Sequence, residues 1–456
     1  MIDLAMLKLI AISLFVLMTL FACKASSDDT IAPPDMTPPD WSRNSVIYEV
    51  NVRQFTPEGT FAAFATHLPR LRELGVDILW FMPINPIGIE NRKGSLGSYY
   101  SVKDYRAVNP EFGTMDEWKT LVQQCHSMGF KVIIDWVANH TAWDNQLAVD
   151  HPDWYAHDSL GNFMPPVSDW TDVIQLNYAS NDLRAWMIES LKFWISETDI
   201  DGYRCDVAGM VPLSFWEDAA RELLPMKSVF LLMEHESAEY HSAFHMGYGW
   251  ELFHKSINVA AGTRAVADLI TYFNNHKNTY PADSYAMYFT SNHDENSWNG
   301  TEFEHFHDAA KPFAAMIMTA PGMPLIYNGQ ESGFNRRLLF FEKDSIDWVD
   351  NDYDDFYRAL TNLKHRNQAL RNGSLGGNLV PVTFTGDQAA FCYKREFGTA
   401  RVVVLINTSQ TGLNLTLNDT TIAGTYLEVL TNQSITLTGT EQITLPAGVA
   451  KVFELQ

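Results

Sequence analysis

KVIIDWVANH, residues 131–140, is the stretch from which the fold can be read. Five of its first seven residues are β-branched or aromatic, the composition of a strand. Asp135 lies inside it, and Asn139 and His140 follow just past its end. Similar short runs recur on either side: VIYEV (46–50) and VDILWFM (76–82) before it, then DGYRCDV (201–207), VFLLME (229–234), YAMYFTS (285–291) and PLIYNG (324–329) after it. Together these make seven strands; an eighth, sixth in chain order, is expected within 250–261, where the pattern is weakest. Residues 115–128, 183–198, 264–275 and 353–366 carry apolar side chains at helical spacing. Strand and helix alternate through about 330 residues, as in βα units closing a parallel sheet. The α/β class and a TIM (β/α)8 barrel over 43–372 are therefore predicted.

One connection is longer than a barrel needs. Between the third strand and a helix starting near Asp182 lie about 40 residues rich in Asp, Trp and Pro, which predict a short inserted domain over 139–177. Beyond Gly373 the pattern changes to ARVVVLIN (400–407), LNLTLN (413–418), SITLTG (434–439), EQITLP (441–446) and AKVFEL (450–455), with turn residues between them. An all-β sandwich over 373–456 is expected.

Residues 9–22, LIAISLFVLMTLFA, form an apolar run of 14 behind Lys8, short for a bilayer crossing but suited to the core of a signal peptide. The run ends in LFAC, and a small residue before Cys23 resembles a bacterial lipobox, whose cysteine takes lipid and becomes the new first residue. This implies a lipoprotein signal peptide over 1–22, export, and a membrane-anchored protein of the periplasm, outer membrane or cell surface; Met6 offers a more typical start than Met1. Residues 23–42, rich in Pro, Ser and Asp, predict an extended tether. Cys125, Cys205 and Cys392 are widely spaced without a metal-type pairing, so buried free thiols are expected.

Asp and Glu number 55 against 32 Lys and Arg, a formal charge of -23, so nucleic acid and anionic lipid are repelled at long range. No nucleic-acid partner is expected, and membrane contact only through the anchor. An acidic, Trp-rich chain suits an uncharged substrate held by hydrogen bonds and stacking, as a sugar is.

In a TIM barrel the reacting groups come from the carboxyl ends of the strands. Here the third strand ends in DWVANH (135–140), the fourth in DGYRCDV (201–207), the fifth in MEHES (233–237) and the seventh in TSNHDEN (290–296). Carboxylates, two histidines and an arginine thus converge on one end of one barrel. These segments resemble, in order, the four signature regions of the alpha-amylase family, glycoside hydrolase family 13. GSYYSVKDYRAVNPEFGT (97–114), SDWTDVIQLN (168–177) and GMPLIYNGQE (322–331) extend the resemblance, which runs from about residue 43 to the end. It implies a retaining α-glycosidase acting on α-glucans or maltooligosaccharides, with the long third loop as domain B and the sandwich as domain C.

Arg204 and Asp206 lie two apart on one strand and share its inward face, so the guanidinium is expected to keep Asp206 ionised. The resemblance makes Asp206 the nucleophile. Glu234 closes an apolar strand, where burial raises a carboxyl pKa, and by resemblance it is the acid/base; Glu236, on the same face, is its rival. Asp294 is implied to hold sugar hydroxyls and stabilise the cationic transition state, with His293 and His140 assisting and Asp135 orienting Arg204. Tyr100, four residues before Asp104, is implied as the aromatic under the sugar at the cleavage point. Trp136, Trp143, Trp170 and Trp298 are candidates either for the cleft wall or for packing. Asn139 and Asp172 match positions that hold a structural Ca²⁺ in many members; two donors fall short of the six to eight oxygens that ion takes, and the alternative is that Asn139 caps the loop. No organic cofactor is expected.

Departures from the family pattern bear on specificity. Val207, Ala208, Gly209 and Met210 stand where many starch-cleaving members carry Lys-His, Met233 and His235 flank Glu234, and VIQLN (173–177) lacks a common proline. Linkage preference and endo or exo action stay open. Transglycosylation is the alternative within the class. A non-catalytic glucan-binding lipoprotein is the alternative outside it, although such relatives lack the three acids present here.

Overall fold

The computed structural model describes residues 33–456; the apolar run, Cys23 and the first part of the expected tether lie outside the described residues. Eight parallel strands close into a barrel in chain order: β1 (Ile47–Val50), β2 (Ile78–Phe81), β3 (Lys131–Trp136), β4 (Gly202–Cys205), β5 (Phe230–Met233), β6 (Met246–Tyr248), β7 (Tyr285–Tyr288) and β8 (Met323–Tyr327). Nearly every strand residue is buried, because helices cover the outer face while side chains fill the inner one; hence the continuous apolar runs.

The sixth strand is not within 250–261. It is Met246–Tyr248, and Trp250–Ala260 is the helix that follows. Leu252, Phe253, Ser256, Val259 and Ala260 are the buried positions of that helix, a 3.6-residue stripe, whereas three strand residues are too few to show alternation. The other helices fall where the spacing placed them. Met115–Ser127 opens with a reciprocal cap: the Glu117 amide donates to Thr114 Oγ1 (3.2 Å), and the Thr114 amide donates to Glu117 Oε2 (2.7 Å). The long third loop carries an antiparallel pair, His140–Ala142 with Val173–Gln175, around the short helix Gln146–Asp150.

The carboxyl-terminal strands form one six-stranded and one three-stranded antiparallel sheet. Within Ala400–Asn407, residues 402–406 form an unbroken apolar run because both faces of the strand are covered. Val402, Val404 and Ile406 pack with the barrel core, while Val403 and Leu405 face the sandwich interior. The five expected runs are strands, and Leu379–Pro381, Phe384–Gly386, Ala390–Phe397 and Gly424–Glu428 join them. The longest of these was masked in sequence by Lys394, Arg395 and Glu396. Arg395 is in fact buried against the barrel, donating to the carbonyls of Ala320 (2.7 Å), Gly377 (2.7 Å), Thr319 (3.1 Å) and Arg371 (3.1 Å).

Within the stretch read as a tether, Pro38, Pro39 and Ser42 are buried, and Trp41 donates to the Ser228 carbonyl at 3.3 Å. Cys125, Cys205 and Cys392 are buried free thiols. Among the described residues no helix is long and apolar enough to cross a membrane.

Gly202 opens β4 at φ 153°, so close to β5 that a Cβ there would stand 1.9 Å from the Phe230 carbonyl oxygen. Gly202→Ala is expected to cost about 3 kcal/mol or more, since backbone rather than a yielding side chain is in the way. Thermal unfolding followed by circular dichroism checks this; a midpoint within about 1 °C of the parent contradicts it.

Candidate active site

The carboxyl ends of the strands open into a cleft of about 520 Å³ whose lining includes Tyr100, His140, Asp206, Glu234, His293 and Asp294. Arg204 lies beneath its floor, fully buried. Asp135 and Arg204 are neighbours in the β3–β4 register, so their side chains leave the sheet in the same direction. Arg204 Nη1 donates to Asp135 Oδ1 (2.9 Å) and Asp206 Oδ1 (2.9 Å), and Nε donates to the Tyr248 hydroxyl (3.1 Å). Nη2 stands 3.0 Å from Glu234 Oε2, close as an ion pair but off the hydrogen-bonding direction. The rings of Trp80, Tyr100 and Tyr248 lie 5.2, 5.7 and 5.7 Å from the guanidinium carbon. Asp135 does orient Arg204, and its Oδ2 accepts from Tyr100 (3.1 Å) and Trp80 (3.3 Å).

Asp206 and Glu234 are both buried beside the one guanidinium. Burial pushes the Asp206 carboxyl up to about 7, Arg204 draws it down, and Asp135 opposes that pull. Burial likewise lifts Glu234 to about 7, against Arg204 and with the help of Asp206 and Asp294. One cation is shared among three buried acids, so burial and the neighbouring carboxyls oppose its pull on each of them. Arg204 hydrogen-bonds Asp206 but meets Glu234 only as a contact. The ionised form therefore falls to Asp206 and the proton to Glu234. Glu234 Oε2 also accepts the Val207 amide at 2.6 Å. That donor sits in a left-handed conformation (φ 36°), rare for a β-branched residue.

Glu236 is raised to about 7 by burial as well, yet it does another job. Its Oε2 accepts the Glu251 amide (2.7 Å) in the first turn of helix Trp250–Ala260, away from the cleft lining. The two histidines differ. Burial opposes charge on His293, but Asp294 and Glu49 override it and raise the ring to about 9. In His140 burial prevails and lowers the ring to about 4, leaving it neutral. Trp170 and Trp298 line the cleft, Trp136 is core, and Trp143 donates to the Thr171 carbonyl (3.0 Å) outside the lining. Glu49, Trp80, Tyr248 and Phe340 were not singled out from sequence. A glutamate inside the apolar VIYEV was the one available signal.

Asn139 and Asp172 do not fit a calcium cage. The Lys93 ammonium stands 3.3 Å from Asp172 Oδ1, and the Asn139 amide nitrogen faces His140 Nδ1 at 3.2 Å. A cation of the chain's own thus already lies beside the carboxylate. Among the described residues no three His, Cys, Asp or Glu side chains converge as metal ligands.

A family model described as the alpha amylase catalytic domain matches residues 25–171 and 233–372, segments that hold Asp135, Glu234 and Asp294. Asp206 lies between them and is tied to them through Arg204. The alpha-amylase MalA of Haloarcula japonica is 28% identical over 365 residues, 76% of this chain and 52% of that protein, so the chain spans about half of that relative's length. A cyclomaltodextrinase of a Bacillus species is 24% identical, covering 84% of this chain and 76% of that one. Among solved structures, an alpha-amylase from Lactobacillus plantarum is 30% identical with a TM-score of 0.82, covering 91% of this chain and all of that one (100%). A maltogenic alpha-amylase from Thermotoga neapolitana is 26% identical with a TM-score of 0.83, covering 90% and 98%. With more than half of its length following the catalytic-domain pattern, this chain belongs to the alpha-amylase family, glycoside hydrolase family 13.

Proposed function

We propose that the protein hydrolyses α-glucosidic bonds of starch-like α-glucans or maltooligosaccharides with retention of configuration. The observation that carries this reading is a single guanidinium that hydrogen-bonds one cleft carboxyl, Asp206, and lies beside a second, Glu234. Asp206 attacks the anomeric carbon while Glu234 gives its proton to the departing glycosidic oxygen, leaving a glycosyl ester on Asp206. Glu234, now ionised, takes a proton from water; the water oxygen displaces Asp206, and the sugar leaves in its starting configuration. Asp294, the most exposed of the three acids, faces the cationic transition state and the sugar hydroxyls, and Tyr100 supplies an aromatic face for the ring's apolar side. The same ester can pass to a sugar hydroxyl. Trp298, half exposed at the cleft beside Phe340 (5.1 Å), offers a platform for a chain that would accept it; products longer than the substrate mark that reaction.

Export and anchoring belong to this reading and are supported by the apolar run 9–22 and the LFAC sequence at Cys23. Calcium has no step in it; were the ion present, Asn139 and Asp172 are the donors the family pattern would use, and Lys93 competes for the second.

Glu234→Gln is expected to lower kcat roughly a thousandfold while maltotetraose still binds, measured by calorimetry; unchanged turnover would falsify the mechanism. In the parent, kcat/KM should fall at low pH, as Asp206 takes a proton, and at high pH, as Glu234 loses one. Both carboxyls have folded-state pKa values above their ordinary ones, so stability they contribute is present below the unfolded pKa and lost as pH rises to about 7. The Gln variant should therefore unfold at a higher temperature than the parent at pH 8, which separates lost chemistry from lost fold.

EDTA is expected to leave the thermal midpoint within about 1 °C, whereas Lys93→Met lowers it by about 1–2 °C. A drop with EDTA that Ca²⁺ reverses would refute this. Cys23→Ser should abolish labelling by radioactive palmitate and release the protein from the membrane fraction; retention of both would remove the anchor.

A further inference from the structure

Beneath the cleft lies a carboxyl group that the reaction above does not use. In β1, Tyr48 points outward to bond Glu331 (2.6 Å), so by strand alternation Glu49 points into the barrel, where it is fully buried. Its Oε1 lies 2.5 Å from His293 Nδ1, and its Oε2 is buried without a hydrogen-bond partner. The other ring nitrogen, His293 Nε2, lies 2.8 Å from the Tyr100 hydroxyl and 3.5 Å from Asp294 Oδ2.

A lone carboxylate in a barrel interior is costly unless a cation meets it. Arg204 is already engaged by Asp135, Asp206, Glu234 and Tyr248, which leaves the imidazole as the group in direct contact with Glu49. The charged or titratable groups around His293 are Glu49 on β1, Asp135 at the end of β3, Arg204 on β4, Tyr327 on β8, Tyr100 from the second loop and Asp294 beside it. The acids outnumber the arginine.

We propose that Glu49 is a positioning residue: it keeps His293 protonated on both ring nitrogens, so that Nε2–H is a donor at the cleft floor and never an acceptor. The hydrogen bonds then run one way. His293 Nδ1–H donates to Glu49 and Nε2–H to the Tyr100 oxygen; the Tyr100 hydroxyl donates to Asp135 Oδ2 (3.1 Å), whose Oδ1 receives Arg204, which in turn donates to Asp206 (2.9 Å). A neutral His293 with its proton on Nδ1 would accept at Nε2, the Tyr100 hydroxyl would turn toward it, and Asp135 would lose a donor. The stacking tyrosine and the nucleophile are thus both set from β1. The ordering of acids around the ring agrees, since Asp294 and Glu49 raise His293 to about 9 despite its burial.

The kinetic arm of the test rests on the hydrolytic reading; the protonation arm does not. Nitrogen-15 NMR of histidine-labelled parent, with His293→Gln to assign the signal, should show a doubly protonated ring through pH 8. In Glu49→Gln the ring should titrate at least about one pH unit lower, and kcat/KM should suffer about tenfold more at pH 8 than at pH 6. A neutral His293 in the parent at pH 7 overturns the proposal even if the variant does not fold. So does a variant whose ring titrates as in the parent and whose loss is equal at both pH values. If the ring is doubly protonated but the parent cleaves no α-glucan, the functional reading falls and the role of Glu49 in holding the proton stands.

Discussion

The Arg204 guanidinium is the point from which the site is built. A cation with no exposed surface inside a barrel needs its lost hydration replaced, and here three acids, a tyrosine hydroxyl and three aromatic rings do so. The three acids and the tyrosine hydroxyl come from successive strand ends, β3 through β6, and the parallel register decides whether they meet. Arg204 lies beside Asp135 on one side and Leu232 on the other; two steps on, the Glu234 amide donates to the Cys205 carbonyl at 2.9 Å, which brings Glu234 level with Asp206. A shift of one residue in any of these strands would turn its acid to the outer face.

That concentration of acids has a cost that the rest of the molecule offsets. Buried carboxyls with raised pKa values lower stability at neutral pH, and the strained Val207 that holds Glu234 adds to it. The compensation lies away from the cleft, in apolar strands packed on both faces and in the seam where Val402, Val404 and Ile406 meet the barrel core. Loops that form the rim are tied to one another: Lys93 of the second loop donates to the Asp169 carbonyl (2.6 Å) of the third, and the Ser95 amide donates to Glu342 (2.9 Å) of the eighth. A net-negative pocket whose acids carry fewer charges than their number suits a neutral sugar in the ground state and a cationic one in the transition state.

The barrel was legible because its strands are buried on both sides and so stand out as unbroken apolar runs. The exception shows the rule's limit: Met246–Tyr248 is three residues long and contains a glycine, so the more amphipathic Trp250–Ala260 beside it drew the assignment. Asp206, Glu234 and Asp294 were legible as strand-end acids. Glu236 carries the same raised pKa as Glu234, and nothing in its local sequence says that it caps a helix fifteen residues on. Among the tryptophans, chain position did not separate Trp136, in the core, from Trp170 and Trp298, on the cleft.

By itself the amino-acid sequence determined which residue types sit at which strand ends, and hence the fold class and the family, because periodicity and spacing are local properties of the chain. Only the tertiary structure decided what surrounds each charged group. The surroundings that bias Asp206, His293 and His140 in different directions, and the approach of Lys93 to Asp172, depend on burial and on partners distant along the chain. The energy of a charge is set by everything within a few ångströms of it, which no local pattern records.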